Sequence, residues 1–304
     1  RFFMQALSFK NKNFKITEPF SGLFTQGMVC HETYKDDNNK WLSPEEVQTE
    51  DGKKFFIKKN PSKKVTVGPS ESMSKSKKNT IDPGKIIENY GADAVRLFML
   101  SDSPPEKDVQ WSDQGMLACY KFIQKLWTLH EKIKIKLEKK EKHSKKSEDI
   151  SKFTNQLINR INNNLERFNY NVIIASIYET YNYFNKKINS PIDYDLLFEN
   201  YKKILSVMYP IIPHFAAECL EDLKIDINVK WPKVDEKFLV NEEANIVIQI
   251  NGKKRSIINC KKEISEETLI KNIKNDEKIN KFLENKKIIR SIFVKNKLIN
   301  LIIK

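Results

Sequence analysis

Between Gln114 and Leu223 apolar residues return every three or four positions, a spacing that places them on one face of an α-helix. Met116, Tyr120, Ile123, Trp127 and His130 mark the first such helix. Further helices are predicted over about 151–168, 171–188, 194–208 and 213–223, with turns at Asn169-Tyr170-Asn171 and Ser190-Pro191. Successive helices joined by short turns must bury their apolar stripes against one another, so this stretch reads as an α-helical bundle. The lysine-dense run from Glu131 to Lys146 is expected to project from it as a charged helix and turn. Pro210-Ile211-Ile212-Pro213-His214 lies within the bundle, and His214 is expected to be a packed, hydrogen-bonded core residue. Glu221 to Asn241, around Trp231-Pro232, reads as a linker.

On either side the periodicity changes. Residues 1–17 read as the end of a helix, with Phe2, Phe3, Ala6 and Leu7 at helical spacing, followed by a polar connection. Phe20 to Val29 is apolar and is predicted to be a buried strand, with Gly27 where the backbone approaches a neighbour closely. A polar insertion follows from His31 to Val67, with turn signals at Asp36–Asn39 and Glu50–Gly52. Short strands are expected at Trp41-Leu42 and Phe55–Ile57. Asp82-Pro83 has the form of an N-cap followed by proline at the first helical position, and Gly91 that of a C-cap. A second short helix, Ala92 to Leu100, would bury Val95, Phe98 and Met99 and pair Asp93 with Arg96 on its surface. Ser103-Pro104-Pro105 ends it, and Asp108 to Trp111 is extended. Beyond residue 242 two strands flank Asn251-Gly252, the favoured hairpin turn. Ser265 caps a helix opening with Glu266 and Glu267, and Ile288 to Ile303 supplies two strands about Lys295-Asn296. This is a β-β-α-β-β module.

The 304 residues, 39% of them hydrophobic, leave room for two or three domains. A formal charge of +14 suggests a polyanionic partner such as RNA, although only six of the 54 basic residues are arginine and much of the charge fits a solvated surface. No leader sequence and no apolar run of membrane-spanning length is recognisable, so neither secretion nor a membrane partner is expected. Cys30, Cys119, Cys219 and Cys260 form no Cys-x-x-Cys pair, which fits reduced thiols in a cytoplasmic protein. His31 and His130 lack a second ligand at i+3 or i+4, so no metal site is expected.

Glu71 to Asn79 reads Glu-Ser-Met-Ser-Lys-Ser-Lys-Lys-Asn, between Gly68-Pro69 and Asp82-Pro83-Gly84. Glycine and proline on both flanks predict a loop. Small hydroxyl residues leave its lysines unshielded, and lysine, a compact charge on a flexible stem, can follow moving negative charge on a polyphosphate. Ser72-Met73-Ser74-Lys75 also fits the S-x-x-K nucleophile motif of acyl-serine enzymes. That chemistry needs an S-D-N and a K-T-G element, and the chain offers only Ser101-Asp102-Ser103.

The loop resembles the K-M-S-K-S signature of class I aminoacyl-tRNA synthetases, with Ser72 in place of the first lysine. Its flanks strengthen the likeness: Glu18 to Val29 before it, Asn79 and Ile81-Asp82-Pro83 after it, then Tyr90 to Phe98, and Trp111. The ordered set is similar to bacterial leucyl-tRNA synthetases, in their C-terminal third. The resemblance implies a multidomain α/β and α fold. Residues 1–112 would end a Rossmann-type catalytic domain, with the small insertion at about 31–67 and the signature loop at 72–76. Residues 113–230 would form the α-helical anticodon-binding-type bundle, and 242–304 a C-terminal tRNA-contacting domain. It further implies leucine–tRNA ligase activity, with leucine, ATP carrying Mg2+ as counter-ion, and tRNA(Leu) as partners of a cytoplasmic monomer. Lys75 would be catalytic. Ser72, Met73, Ser74, Lys75, Ser76 and Lys78 would contact ATP, with Lys77 as a further candidate, and Lys253, Lys254 and Arg255 would contact tRNA.

The H-I-G-H element that forms the other half of the family's ATP site is not in these residues, and neither is an editing domain. The chain is therefore expected to be a fragment or a truncated product, inactive alone. Two alternatives remain at this level: a non-catalytic RNA-binding derivative, and another class I synthetase of the Val, Ile or Met type.

Overall fold

The computed structural model describes the chain apart from residues 17, 50, 51, 53, 144–147, 229, 240–242, 284 and 285, with the backbone alone at 243, 277 and 278. The expected turn at Glu50–Gly52 and the end of the Glu131–Lys146 stretch thus fall partly outside the described residues. Two units are present, Arg1–Val234 and Asp235–Lys304.

The first unit opens with α1 (Phe2–Lys10), a helix that buries no residue. Its phenylalanines stand in solvent, as do Phe20 and Leu23 in the segment that follows. The strand expected over Phe20 to Val29 is not formed. It begins only at Val29, as β1 (Val29–Lys35), because pairing partners exist only from there onward. Gly27 does mark a close approach: its N–H donates to the Pro105 carbonyl at 2.8 Å, and a Cβ would lie 2.1 Å from the Lys107 oxygen.

The insertion holds β2 (Trp41–Leu42), which pairs with β1, and a small meander of β3 (Val47–Thr49), β4 (Phe55–Ile57) and β5 (Asn60–Lys64). Tyr34, Leu42 and Val47 form its small core, and their burial pushes the Tyr34 hydroxyl pKa up, Glu32 adding to the shift. The chain returns along β6 (Thr66–Ser72), antiparallel to β1. Gly68-Pro69 therefore sits inside a strand instead of ending one. Proline is tolerated because β6 is an edge strand, and a Cβ on Gly68 would meet Thr33 Oγ1 at 2.5 Å.

After the loop come α2 (Pro83–Tyr90), α3 (Ala92–Ser101) and β7 (Val109–Gln110), the last pairing parallel to the start of β1. Asp82 caps α2 by accepting from Gly84 N–H at 3.0 Å, and Gly91, at φ +78°, separates the two helices. Asp93 and Arg96 do not pair with each other. Asp93 is buried and accepts from the backbone N–H groups of His214 and Phe215 and from His214 Nδ1. Arg96 donates to the carbonyls of Pro210 and Ile211. Two side chains of α3 thus hold the Pro210–Phe215 segment, an arrangement that adjacent sequence cannot show. His214 is consequently an exposed partner of Asp93 and not a core residue, its side chain 74% accessible.

The bundle comprises α4 (Asp113–Glu138), α5 (Asp149–Leu165), α6 (Tyr170–Lys187), α7 (Tyr194–Met208) and α8 (Pro213–Asp222). On α4 the buried stripe is Met116, Cys119, Phe122, Leu126, Leu129, His130, Ile133 and Leu137. This lies beside the predicted one, leaving Tyr120, Ile123 and Trp127 at its margin. Burial of Ile133 and Leu137 also means that the lysine-rich end of α4 packs instead of projecting. Lys136 is drawn in, donating to the carbonyls of Ile188 and Ser190. Trp231 closes the far side with a 2.8 Å bond from Nε1 to Asn162 Oδ1.

The second unit has β8 (Glu243–Ile250), β9 (Lys253–Lys261), α9 (Glu266–Asn275), α10 (Glu277–Asn280), β10 (Ile288–Val294) and β11 (Leu298–Ile303). Sheet order is β10-β11-β8-β9, with β11 and β8 parallel and both hairpins antiparallel. Alternate residues Ile246, Ile248, Ile250, Ile299 and Leu301 face Leu269 and Ile273, four apart on α9. Positive φ at Asn251, Gly252 and Asn296 is what the two hairpin turns require.

Candidate phosphate-binding loop

The signature residues emerge from the end of β6, beside the parallel pair β1 and β7. Ser72 is the last residue of β6, and Met73 N–H continues the ladder to the Val29 carbonyl at 3.0 Å. The chain then leaves the sheet in a tight turn over residues 75–78, closed by Lys78 N–H on the Lys75 carbonyl at 3.3 Å. Ser74 shapes this turn: its Oγ accepts from Lys77 N–H at 3.3 Å and lies 3.2 Å from Ser76 Oγ. Such local side-chain bonds stabilise turns in preference to regular structure. Lys78 follows at φ +55°, in the left-handed region.

The three lysines of the loop have different fates. Lys77 pairs with Glu71, and Lys78 Nζ lies 3.8 Å from Glu46 Oε2. Glu46 is held below its usual pKa first by its bond from the Ser43 backbone, part of a capping box, and then by Lys78. Lys75 is exposed and makes no ion pair among the described residues. Partly exposed pairs contribute about 0–1 kcal/mol, so Lys77 and Lys78 are held only weakly. Glu71, Glu46 and Asn79 give the loop its electrostatic and backbone setting. Their part is not legible in the motif, because Glu46 acts from the insertion and Asn79 through backbone groups of two strands.

Lys253, Lys254 and Arg255 lie together and exposed at the start of β9, in the second unit. Arg255 stands 4.4 Å over the ring of Phe282. They form a basic hairpin edge that can meet a phosphate backbone.

Two further places bear on chemistry. A cleft of about 750 Å³ between α2, α3, α4 and α8 is lined by Ile87, Tyr90, Trp127 and Phe215 among others, with no lysine or arginine, and so is unsuited to phosphate. His130, Glu131 and Asp222 bring ligand atoms within 4.8 Å of one another. There Lys134 Nζ already sits 2.6 and 2.8 Å from the two Asp222 oxygens. His130 spends one ring nitrogen on Tyr201 and the other on Asp222, each at 3.0 Å. His31 is buried, with Nδ1 2.8 Å from the carbonyl of Glu32. No helix among the described residues is long and apolar enough to cross a membrane.

Residues 64–112, which include the loop, match the family described as tRNA synthetases class I (I, L, M and V). Residues 147–284 match the anticodon-binding domain of tRNA ligase. The whole chain is 39% identical over 313 residues to a leucine–tRNA ligase of Wolbachia pipientis subsp. Culex pipiens, and 99% of it is 38% identical over 307 residues to that of Orientia tsutsugamushi. In both cases it spans 36% of the relative's length. A crystal structure of the ternary complex of Agrobacterium radiobacter K84 LeuRS with tRNA and LeuAMS shares the fold over all of this chain and 35% of its own, at 20% identity and a TM-score of 0.63. The chain is thus similar over its whole length to a C-terminal part of leucine–tRNA ligases, and two stretches of it match the models of class I tRNA synthetases and of their anticodon-binding domain.

Proposed function

We propose that this chain serves as a C-terminal part of a leucine–tRNA ligase, in which the loop at 72–76 delivers Lys75 to the phosphates of ATP. The observation that carries the reading is the contrast among the three lysines: Lys77 and Lys78 pair with Glu71 and Glu46, while Lys75 makes no ion pair among the described residues. In the reaction the leucine carboxylate attacks the α-phosphorus, and the bond to the bridging oxygen breaks. Pyrophosphate leaves with the bonding electrons; a tRNA 3′-terminal hydroxyl then attacks the leucyl carbonyl and gives up its proton, and AMP leaves with the electrons of the anhydride bond. Charge grows on the leaving pyrophosphate, and a preorganised cation there lowers the barrier. Lys75 supplies that charge, with Mg2+ accompanying ATP as its counter-ion. Ser72, Met73, Ser74, Ser76 and Lys78 line the same segment. Ser74 and Ser76 act chiefly by shaping the turn, and Lys78 reaches phosphate only by leaving Glu46.

Residues 1–112 would complete a nucleotide-binding domain, 113–230 a tRNA-binding bundle, and 242–304 a module meeting tRNA(Leu) through Lys253, Lys254 and Arg255. The four free cysteines support a reducing, cytoplasmic setting. The chain spans only 36% of the relatives' length, and these 304 residues alone are expected not to charge tRNA. In a full-length ligase carrying them, Lys75→Ala should lower leucine-dependent ATP–pyrophosphate exchange at least ~100-fold, the scale of losing one preorganised donor. Near-normal exchange would overturn the assignment.

A further inference from the structure

Residues 73–78 form neither strand nor helix, yet their path is fixed at both ends by one side chain. Asn79 is fully buried. Its Oδ1 accepts from Ser74 N–H at 2.8 Å, and its Nδ2 donates toward the carbonyls of His31 at 3.2 Å, Glu71 at 3.1 Å and Ser72 at 3.5 Å. His31 and Glu71 are register partners across β1 and β6. A single amide therefore ties together two neighbouring strands, the end of one of them, and the residue that leads into the turn.

The residue type follows from that geometry. An amide of this length offers an acceptor and two donor protons at once. Aspartate would set a carboxylate against three carbonyl oxygens, and an aliphatic residue would leave a half-buried N–H and three strand carbonyls without this partner.

We infer that Asn79 is the positioning residue of the phosphate loop. It closes residues 73–78 into a preformed turn and so presents Lys75 from a fixed base, without touching the substrate. The inference rests on reading Lys75 as the phosphate-binding cation. A flexible stem needs a fixed root: displacement of a reacting group by about 1 Å costs up to ~100-fold in rate.

Two measurements test it. In the 304-residue chain, amide hydrogen exchange of segment 72–79 should quicken at least ~10-fold in Asn79→Ala, while α4 exchanges as before. In a full-length ligase, Asn79→Ala should lower kcat for pyrophosphate exchange at least ~10-fold with the KM for leucine unchanged. Asn79→Asp, nearly isosteric, should show the same pattern and serves where the alanine variant does not fold. Unchanged exchange at 72–79, or faster exchange with unaltered kcat, overturns the inference. If Lys75→Ala has no effect on turnover, the phosphate reading fails and the catalytic role of Asn79 with it. If Lys75→Ala is inactive while Asn79→Ala is normal, only the role of Asn79 fails.

Discussion

Asp93 shows how much one carboxylate can organise. It receives two backbone N–H groups at the start of α8 and one imidazole nitrogen, all more than a hundred residues away in sequence. Removing it leaves buried donors without an acceptor, at about 1–3 kcal/mol, a cost that overlaps the loss of an N-cap. Asp93→Ala is expected to lower the melting temperature of the first unit by about 4–8 °C in calorimetry, with Asp93→Asn less affected. Asp222 makes a second prediction, on pH. Its carboxyl is held below the usual value first by Lys134 and then by His130. A group whose folded pKa is depressed stabilises above its unfolded value and loses that contribution as pH falls through the folded one. The urea midpoint of the bundle should therefore drop as pH falls below about 4, and Asp222→Asn should make that limb shallower. Lys134 has the opposite sign: Asp222 raises its pKa, so its contribution is present below its unfolded value and fades at strongly alkaline pH.

The elements are legible where their signals are local. Asp82-Pro83, Ser265 and Asn251-Gly252 each specify a cap or turn from neighbouring residues, and each is found at the expected place. Phe20 to Val29 is not legible, because a strand exists only where another backbone completes its hydrogen bonds. Gly68-Pro69 misleads for the converse reason, since an edge strand tolerates residues that a central one rejects. In the loop, the lysines are evident from composition, but which of them is neutralised depends on Glu46, a distant residue. Asn79 is visible as a flank of the motif and silent about its bonds. Gly27 gives a sharper test at this scale. Its missing Cβ would collide with backbone atoms of Lys107 and Asp108, which cannot yield as a side-chain tip can. Gly27→Ala should cost about 1–3 kcal/mol in urea unfolding, whereas Gly22→Ala, with open space around it, should be nearly neutral.

At the scale of the molecule, two units with separate cores carry the two kinds of charge that the proposed function needs. One holds an exposed lysine, without an ion pair among the described residues, on a shaped turn; the other presents adjacent basic residues on a hairpin edge. The second is testable by its dependence on salt. If Lys253, Lys254 and Arg255 meet the RNA backbone, their joint replacement by alanine should reduce the slope of log K against log salt by about 2, at roughly 0.7–0.9 for each phosphate no longer neutralised. Filter binding to tRNA at several salt concentrations measures it, and an unchanged slope would remove them from the interface. The apolar side chains of α1 and of the segment leading to β1 have a different consequence, for the behaviour of the protein in solution. Phe2, Phe3, Phe9, Phe20 and Leu23 are all more than three-quarters exposed. Strongly hydrated salts such as sulfate strengthen attraction between surfaces of this kind. The colloidal stability of this highly cationic chain is thus set by a balance between long-range repulsion and a short adhesive stretch near its first residues. Raising ionic strength screens the repulsion and leaves the adhesion, so the chain should salt out sooner than its charge alone suggests.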